Sequence, residues 1–249
     1  MRAIAVTGRR FSGSTILCRM LDLVPGVVGV GETDWLMNGT MICTSCGKSC
    51  KYFNSKNFSN VSADRLYRRI ANCFDTDVLI TSDKRLHYLE QVTPPKTLDV
   101  VVVFKSPFAF AASDKRGHPR HRKSSGELLF PKMGIERSTK LFRKYYNKIL
   151  QWDHPRSKVF VSLERLMIDH VVAMSKVCDA LDLPEPGPIF SMAGTKHHFV
   201  LGNYDAMDSL HLGVDDRWVE ELSDQQKARI ARNKKAIRLY NKLLQYSCI

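Results

Sequence analysis

The segment Gly8-Arg9-Arg10-Phe11-Ser12-Gly13-Ser14-Thr15 follows a β-branched run, Ala3 to Thr7, and opens a helical pattern that begins near Ser14. This is phosphate-loop spacing. Backbone N–H groups of such a turn converge on one concavity, and the helix N-terminus adds positive potential, so an anion can be held without large side chains. In a nucleotide triphosphatase the residue after the second glycine is a lysine that reaches the β- and γ-phosphates. Here that residue is Ser14, which argues against ATP or GTP hydrolysis and for a smaller anion.

Three further groups of residues could do chemistry. Glu32 ends a second β-branched run in Gly29-Val30-Gly31-Glu32-Thr33, at the edge where the phosphate loop also opens, and reads as a proton acceptor. The plainer reading is a surface carboxylate pairing with Arg9 or Arg10, and His118 and His121 are weaker alternatives as bases. Cys43-x2-Cys46-x3-Cys50 invites a zinc reading, but structural zinc wants four ligands and no fourth stands nearby in the sequence. The expectation is therefore a reduced or partly disulfide-linked loop with no metal, and His197 and His198 read as loop or pocket residues. The basic run Arg116 to Lys123 reads either as a contact for an acidic acceptor or as a solvated loop.

The chain that must position these groups has 249 residues, 44% apolar and 25% charged, which fits one large domain over 1–249 and leaves no room for a second catalytic domain. Its net charge of +13 favours polyanionic partners. Nucleic acid ranks below the others because basic residues are not interleaved with aromatics and no binding module is recognisable. No stretch approaches about 18 consecutive apolar residues, and Met1 to Gly8 runs straight into a glycine turn, so neither a membrane span nor a signal peptide is expected. A cytoplasmic setting is the expectation, and the seven cysteines, an odd number, should be mostly reduced.

Strands are expected at Ala3 to Thr7, Val27 to Gly31, Val78 to Thr81, Val100 to Phe104 and Lys158 to Ser162, several of them apolar on both faces. Helical patterns lie between them at Ser14 to Leu23, Ala63 to Phe74, Pro107 to Lys115 and Ile135 to Gln151. Alternation of this kind predicts a parallel α/β sheet. One long helix is expected over Glu164 to Leu181, stopped by Pro184, and another over roughly Trp218 to Tyr246. Asn38 to Ser59 and Gly117 to Gly126 read as loops, and Pro184 to Pro188 as a connector.

Ser12-Gly13-Ser14-Thr15 after the first strand resembles the 5′-phosphosulfate loop of the sulfotransferase family. Ser82-Asp83-Lys84 after the third strand is similar to that family's Ser-Ser-Lys or Asn-Lys region. Lys105 at the end of the fourth strand, with Ser113 eight residues on, resembles its 3′-phosphate motif, with lysine where the family has arginine. Val161 to Leu166 sits where the family has its Tyr-Glu-Asp-Leu strand end, and His197 to Asn203 followed by Asp216-Arg217-Trp218 is similar to a cofactor-closing loop and helix of bacterial-type members. The chain departs from the family at Phe11, where Arg or Lys is usual; either Arg10 swings in from a turn one residue longer, or Lys84 carries that charge alone.

The resemblance implies a three-layer α/β/α fold with a central parallel sheet, of the P-loop nucleotide-binding-like sulfotransferase type. It implies 3′-phosphoadenosine-5′-phosphosulfate (PAPS) as donor, 3′,5′-adenosine bisphosphate (PAP) as product, and in-line transfer of a sulfonyl group to an acceptor hydroxyl or amine with no obligatory metal. Glu32 matches the spacing of the catalytic glutamate in protein-tyrosine sulfotransferases, and Lys84 would stabilise the departing phosphate oxygen. Arg10, Ser12, Gly13, Ser14 and Thr15 would hold the 5′ side; Lys105, Ser113 and Arg116 the 3′-phosphate; Gly202 and Asn203 the closing loop. The acceptor would be a small molecule, glycan or peptide, acidic ones included, met by loops at 35–60 and 117–133. Two readings compete: a phosphate-loop kinase or nucleotide hydrolase, and a basic anion binder that has lost its chemistry.

Overall fold

The five β-branched runs form five strands: β1 (Arg2–Thr7), β2 (Val27–Gly29), β3 (Val78–Thr81), β4 (Leu98–Phe104) and β5 (Ser157–Ser162). They lie in the order β2-β3-β1-β4-β5. Every pairing is parallel, with Ala5 of β1 opposite both Thr81 of β3 and Val100 of β4. The computed structural model describes residues 1–38, 43–47, 49–53, 58, 61–117, 132–187, 198–200 and 213–249.

Parallel neighbours require crossovers, and helices supply them. In chain order they are α1 (Ser14–Leu21), α2 (Ala63–Phe74), α3 (Leu86–Val92), α4 (Pro107–Arg116), α5 (Ile135–Gln151), α6 (Leu163–Ile168), α7 (His170–Ala180), α8 (Trp218–Glu221), α9 (Asp224–Arg232) and α10 (Lys234–Tyr246). The period of two along each strand then divides the core. Ala3, Ala5, Val100, Val102 and Phe104 face one layer with residues of α2, α3, α5 and α10. Ile4, Val6, Val101 and Val103 face the other, with residues of α1, α6 and α7. All seven residues of β4 are buried, the reason Val100 to Phe104 reads as a continuous apolar run in the sequence. The result is the expected three-layer α/β/α architecture.

Two expected helices are broken by caps. The run Glu164 to Leu181 divides at Asp169, whose side chain accepts from Val172 N (3.1 Å) and starts a new helix. The break turns Val171, which the apolar period of one continuous helix would bury, out to 52% exposure. Trp218 to Tyr246 divides twice. Ser223 and Gln226 form a reciprocal capping box at the start of α9, and Asn233 caps α10. All three interruptions are legible as cap residues once apolar periodicity is not given sole weight. The short helix α3 has no counterpart among the expected helices.

Because the strands are parallel, their C-terminal ends open on one edge, where ligands of open α/β sheets bind. That edge carries the phosphate loop after β1, Glu32 after β2, Ser82 to Lys84 after β3 and Lys105 after β4.

Candidate functional site

The loop between β1 and α1 is tightly folded. Ser12 N donates to Arg9 O (3.0 Å), and both Phe11 (φ 66) and Gly13 (φ 95) take left-handed backbone conformations. A side chain at Gly8 would collide with Ser12 Oγ and come within 2.5 Å of Val103 O. No side chain caps α1, so the N–H groups of its first turn are left to face the loop. Ser12 Oγ is buried and has no hydrogen-bond partner among the described residues, an acceptor-seeking hydroxyl inside the cradle. Ser14 and Thr15 are buried beside it.

Glu32 and Lys84 form an ion pair between their Oε1 and Nζ atoms, each side chain about one-fifth exposed. Trp35 Nε1 donates to the other Glu32 oxygen (3.4 Å). The plainer reading, in which Glu32 pairs with Arg9 or Arg10, gives way, because both arginines turn to the buried Asp114, at 3.5 and 3.7 Å. Arg10 is thereby held on the α4 side of the loop, also donating to Met133 Sδ (3.6 Å). Tyr145 on α5 joins the phosphate loop to Lys84. Its hydroxyl donates to Lys84 O (3.1 Å) and therefore accepts from Thr7 Oγ1 (2.9 Å).

Asp83 is the buried anchor of this region. Its carboxylate accepts from Thr33 Oγ1 (2.6 Å), Tyr67 OH (2.8 Å) and Asp34 N (3.0 Å), tying the segment after Glu32 to the segment before Lys84. Burial, with Asp34 nearby, pushes this carboxyl up to about 7, against the three donors that favour its ionised form. The folded protein thus keeps a proton that the unfolded chain releases near pH 4, and stability from this group falls as pH rises from about 4 to about 7. We expect the melting temperature of Asp83→Asn to vary less between about pH 5 and 8 than that of the wild type; equal slopes would show that Asp83 is ionised throughout.

The third cluster forms after β4. Lys105 is buried and its Nζ donates to Ser113 Oγ (2.6 Å), which also accepts from Arg116 NH2 (3.1 Å). Ser106 caps α4 through its side chain, and Pro107 sits in the first turn, fixing the helix that returns Ser113 to the strand end. Lys105 and Arg116 both face the carboxylate of Asp215, at 3.5 and 3.6 Å, and Arg217 donates to it at 2.7 Å. Burial opposes ionisation of Asp215, but the Arg217 hydrogen bond and the Lys105 charge outweigh it and hold the carboxyl below its usual value. Burial pushes Lys105 down to about 8, with Asp215 and Glu164 acting the other way. Three cations facing one carboxylate, with the Ser113 hydroxyl held by two of them, make a setting that suits an oxyanion.

Asp215 carries no signal in the sequence; it stands two residues before Arg217 in an acidic doublet with no strand or helix pattern. Its carboxylate occupies the position that an anion facing Lys105 and Arg116 would take. Asp215→Asn should tighten binding of an added anion such as sulfate about tenfold, by removing a charge close to Lys105 and Arg116. Calorimetry would check this; weaker binding would show instead that Asp215 orients Lys105.

Of the residues singled out from the sequence, Gly202, Asn203, His118, His121 and His197 lie outside the described residues, as does most of the basic run at 117–126. His198 is described, and it does not read as a pocket residue. It lies against the sulfurs of Cys43, Cys46 and Cys50, supplying the fourth group that the sequence did not offer. No helix among the described residues is long and apolar enough to cross a membrane.

Comparison with protein-family models and with curated proteins gives no match. Among solved structures, the crystal structure of retinol dehydratase in complex with androsterone and inactive cofactor PAP is similar to this chain. The similarity has a TM-score of 0.49 and 11% identity, over 100% of this chain and 83% of that one.

Proposed function

We propose that the protein is a PAPS-dependent sulfotransferase acting on the hydroxyl or amine of an acceptor. The observation that carries the reading is the pair of anion sites on neighbouring strands: a lysine-free phosphate loop after β1, and Lys105, Ser113 and Arg116 gathered after β4. Adjacent parallel strands lie about 4.8 Å apart, so the two sites suit two phosphates of one nucleotide. The unpartnered hydroxyl of Ser12 and the carboxylate already seated against Lys105 support the fit.

In this reading Ser12, Gly13, Ser14 and Thr15 hold the 5′ side of the donor, and Lys105, Ser113 and Arg116 its 3′-phosphate. The donor supplies an activated sulfonyl group with a stable bisphosphate as leaving group. Glu32 accepts the proton of the acceptor hydroxyl as the oxygen–sulfur bond forms. Lys84 neutralises charge on the bridging oxygen as its bond to sulfur breaks. Their mutual ion pair places a base and a cation within reach of one point, the arrangement that in-line displacement needs. Arg10 is assigned to the wall of the loop through Asp114, leaving Lys84 as the cation on the sulfonyl side. Gly202 and Asn203 are carried as closing-loop residues on the resemblance alone.

The test is transfer of labelled sulfonyl from PAPS into a panel of phenols, amines, glycans and acidic tyrosine peptides. Acceptor-dependent formation of PAP is the expected result. Phosphoryl transfer from ATP to the same panel would favour the kinase reading instead. Ser14 in place of the triphosphate lysine speaks against that outcome.

A further inference from the structure

We propose that Cys43, Cys46, Cys50 and His198 form a structural zinc site. Their ligand atoms lie within 4.8 Å of one another. His198 Nδ1 is 3.7 Å from the sulfur of Cys43, 3.4 Å from that of Cys46 and 3.5 Å from that of Cys50. A tetrahedral zinc with Zn–S of about 2.3 Å and Zn–N of about 2.0–2.1 Å separates each sulfur from the nitrogen by about 3.6 Å. The three observed distances bracket that value. A disulfide would use two of these groups and strand the others, and none of the seven cysteines is in one. An iron–sulfur cluster would spread the cysteine sulfurs apart around its inorganic sulfides, whereas here they crowd a single point. Three thiolates and an imidazole in tetrahedral array select zinc.

The local fold is built for this. Cys43 and Gly47 close a small antiparallel turn, with Gly47 N donating to Cys43 O at 2.8 Å and Gly47 at φ 62, a conformation suited to glycine. Backbone N–H groups of Ser45 and Cys46 point at the Cys43 sulfur, as outer partners of a metal-bound thiolate do. Tyr52 packs edge-on against the His198 ring (centroids 4.6 Å apart), and Tyr52 stacks on Phe74 (4.2 Å). Cys43 and Cys50 are buried among Phe53 and Phe58. With four protein ligands the site is closed, so its role is to tie chain segments together rather than to activate water.

What it ties is informative. His198 brings with it Phe199 and Val200. Thr44 N donates to Phe199 O (2.8 Å), Val200 N to Val30 O (2.8 Å), and Val200 O accepts from Glu32 N (2.8 Å). The metal therefore staples the cysteine loop and a remote segment onto the end of β2, beside Glu32. It does so independently of any donor or acceptor.

The test is metal analysis of the full chain purified under reducing conditions, followed by replacement with cobalt(II). The expected result is about one zinc per chain, and a cobalt form with sulfur-to-metal charge-transfer bands and the intense visible bands of a tetrahedral site. Cys46→Ser and His198→Ala should hold about a tenth of that zinc or less, while His198→Cys, which keeps four ligands, should retain it. Because Cys46→Ser could misfold, the wild-type stoichiometry and cobalt spectrum decide the matter without it. Absence of bound metal together with no cobalt spectrum, a cysteine disulfide in the freshly purified protein, iron with acid-labile sulfide, or full zinc in His198→Ala would each overturn the proposal. None of these readouts depends on sulfonyl transfer, so the zinc site and the enzymatic assignment stand or fall separately.

Discussion

Glu32→Gln is expected to lower turnover by about 10²–10⁴-fold while leaving the affinity for PAP within about twofold of wild type. The carboxylate stands at the end of β2, in contact with Lys84 and Trp35 rather than with the phosphate loop or the Lys105 cluster. The amide keeps the size of the side chain and a hydrogen-bond acceptor for Trp35, but it cannot take a proton. Single-turnover rates with PAPS would isolate the chemical step and calorimetry with PAP the binding. Undiminished turnover in this variant would remove Glu32 from the mechanism. A loss of PAP binding matching the loss in rate would make Glu32 a structural partner of Lys84.

Lys105→Ala carries the second large effect, on binding. Lys105 is buried and is drawn toward both Ser113 and Asp215. Truncating one member of a buried, hydrogen-bonded charge pair costs about 2–5 kcal/mol, which corresponds to a roughly thirtyfold to several-thousandfold weaker affinity for PAP. Asp215 is left without this cation in the variant, so the double variant Lys105→Ala, Asp215→Asn should recover part of the loss. The same lysine gives a pH dependence. With burial lowering it to about 8, it loses charge above that pH, and PAP affinity of the wild type should fall as pH rises through about 8. A flat profile from pH 7 to about 9.5 would mean that Lys105 has the same protonation with and without PAP over that range, and so is not lowered to about 8 in the free protein.

Much of this arrangement is legible in the amino-acid sequence. Strands rich in valine and isoleucine, each followed by a helical pattern, dictate a parallel sheet, and a parallel sheet delivers every strand end to one edge. Glu32, Lys84, Lys105 and the phosphate loop can therefore be grouped from their positions alone. Residues whose role depends on a long return of the chain are not legible. Asp215 meets Lys105 across more than a hundred positions, and His198 meets Cys50 across 148. Neither pairing leaves a periodic trace. Asp83 is visible in the Ser82-Asp83-Lys84 segment, yet its three donors come from Thr33, Asp34 and Tyr67, on two other parts of the chain. The pairing of Arg10 with Asp114 is hidden for a related reason: Asp114 lies near the end of α4, and only the folded chain shows that a buried carboxylate meets Arg10 there.

Calorimetric binding of PAP, compared with ADP and ATP in the absence of magnesium, tests the central claim most directly, because it interrogates the Lys105, Ser113 and Arg116 cluster without knowledge of the acceptor. The expected result is clear selectivity for the bisphosphate, at least about tenfold over either competitor. Equal affinity for all three, or none, would contradict the assignment of a 3′-phosphate site and with it the proposed sulfonyl donor.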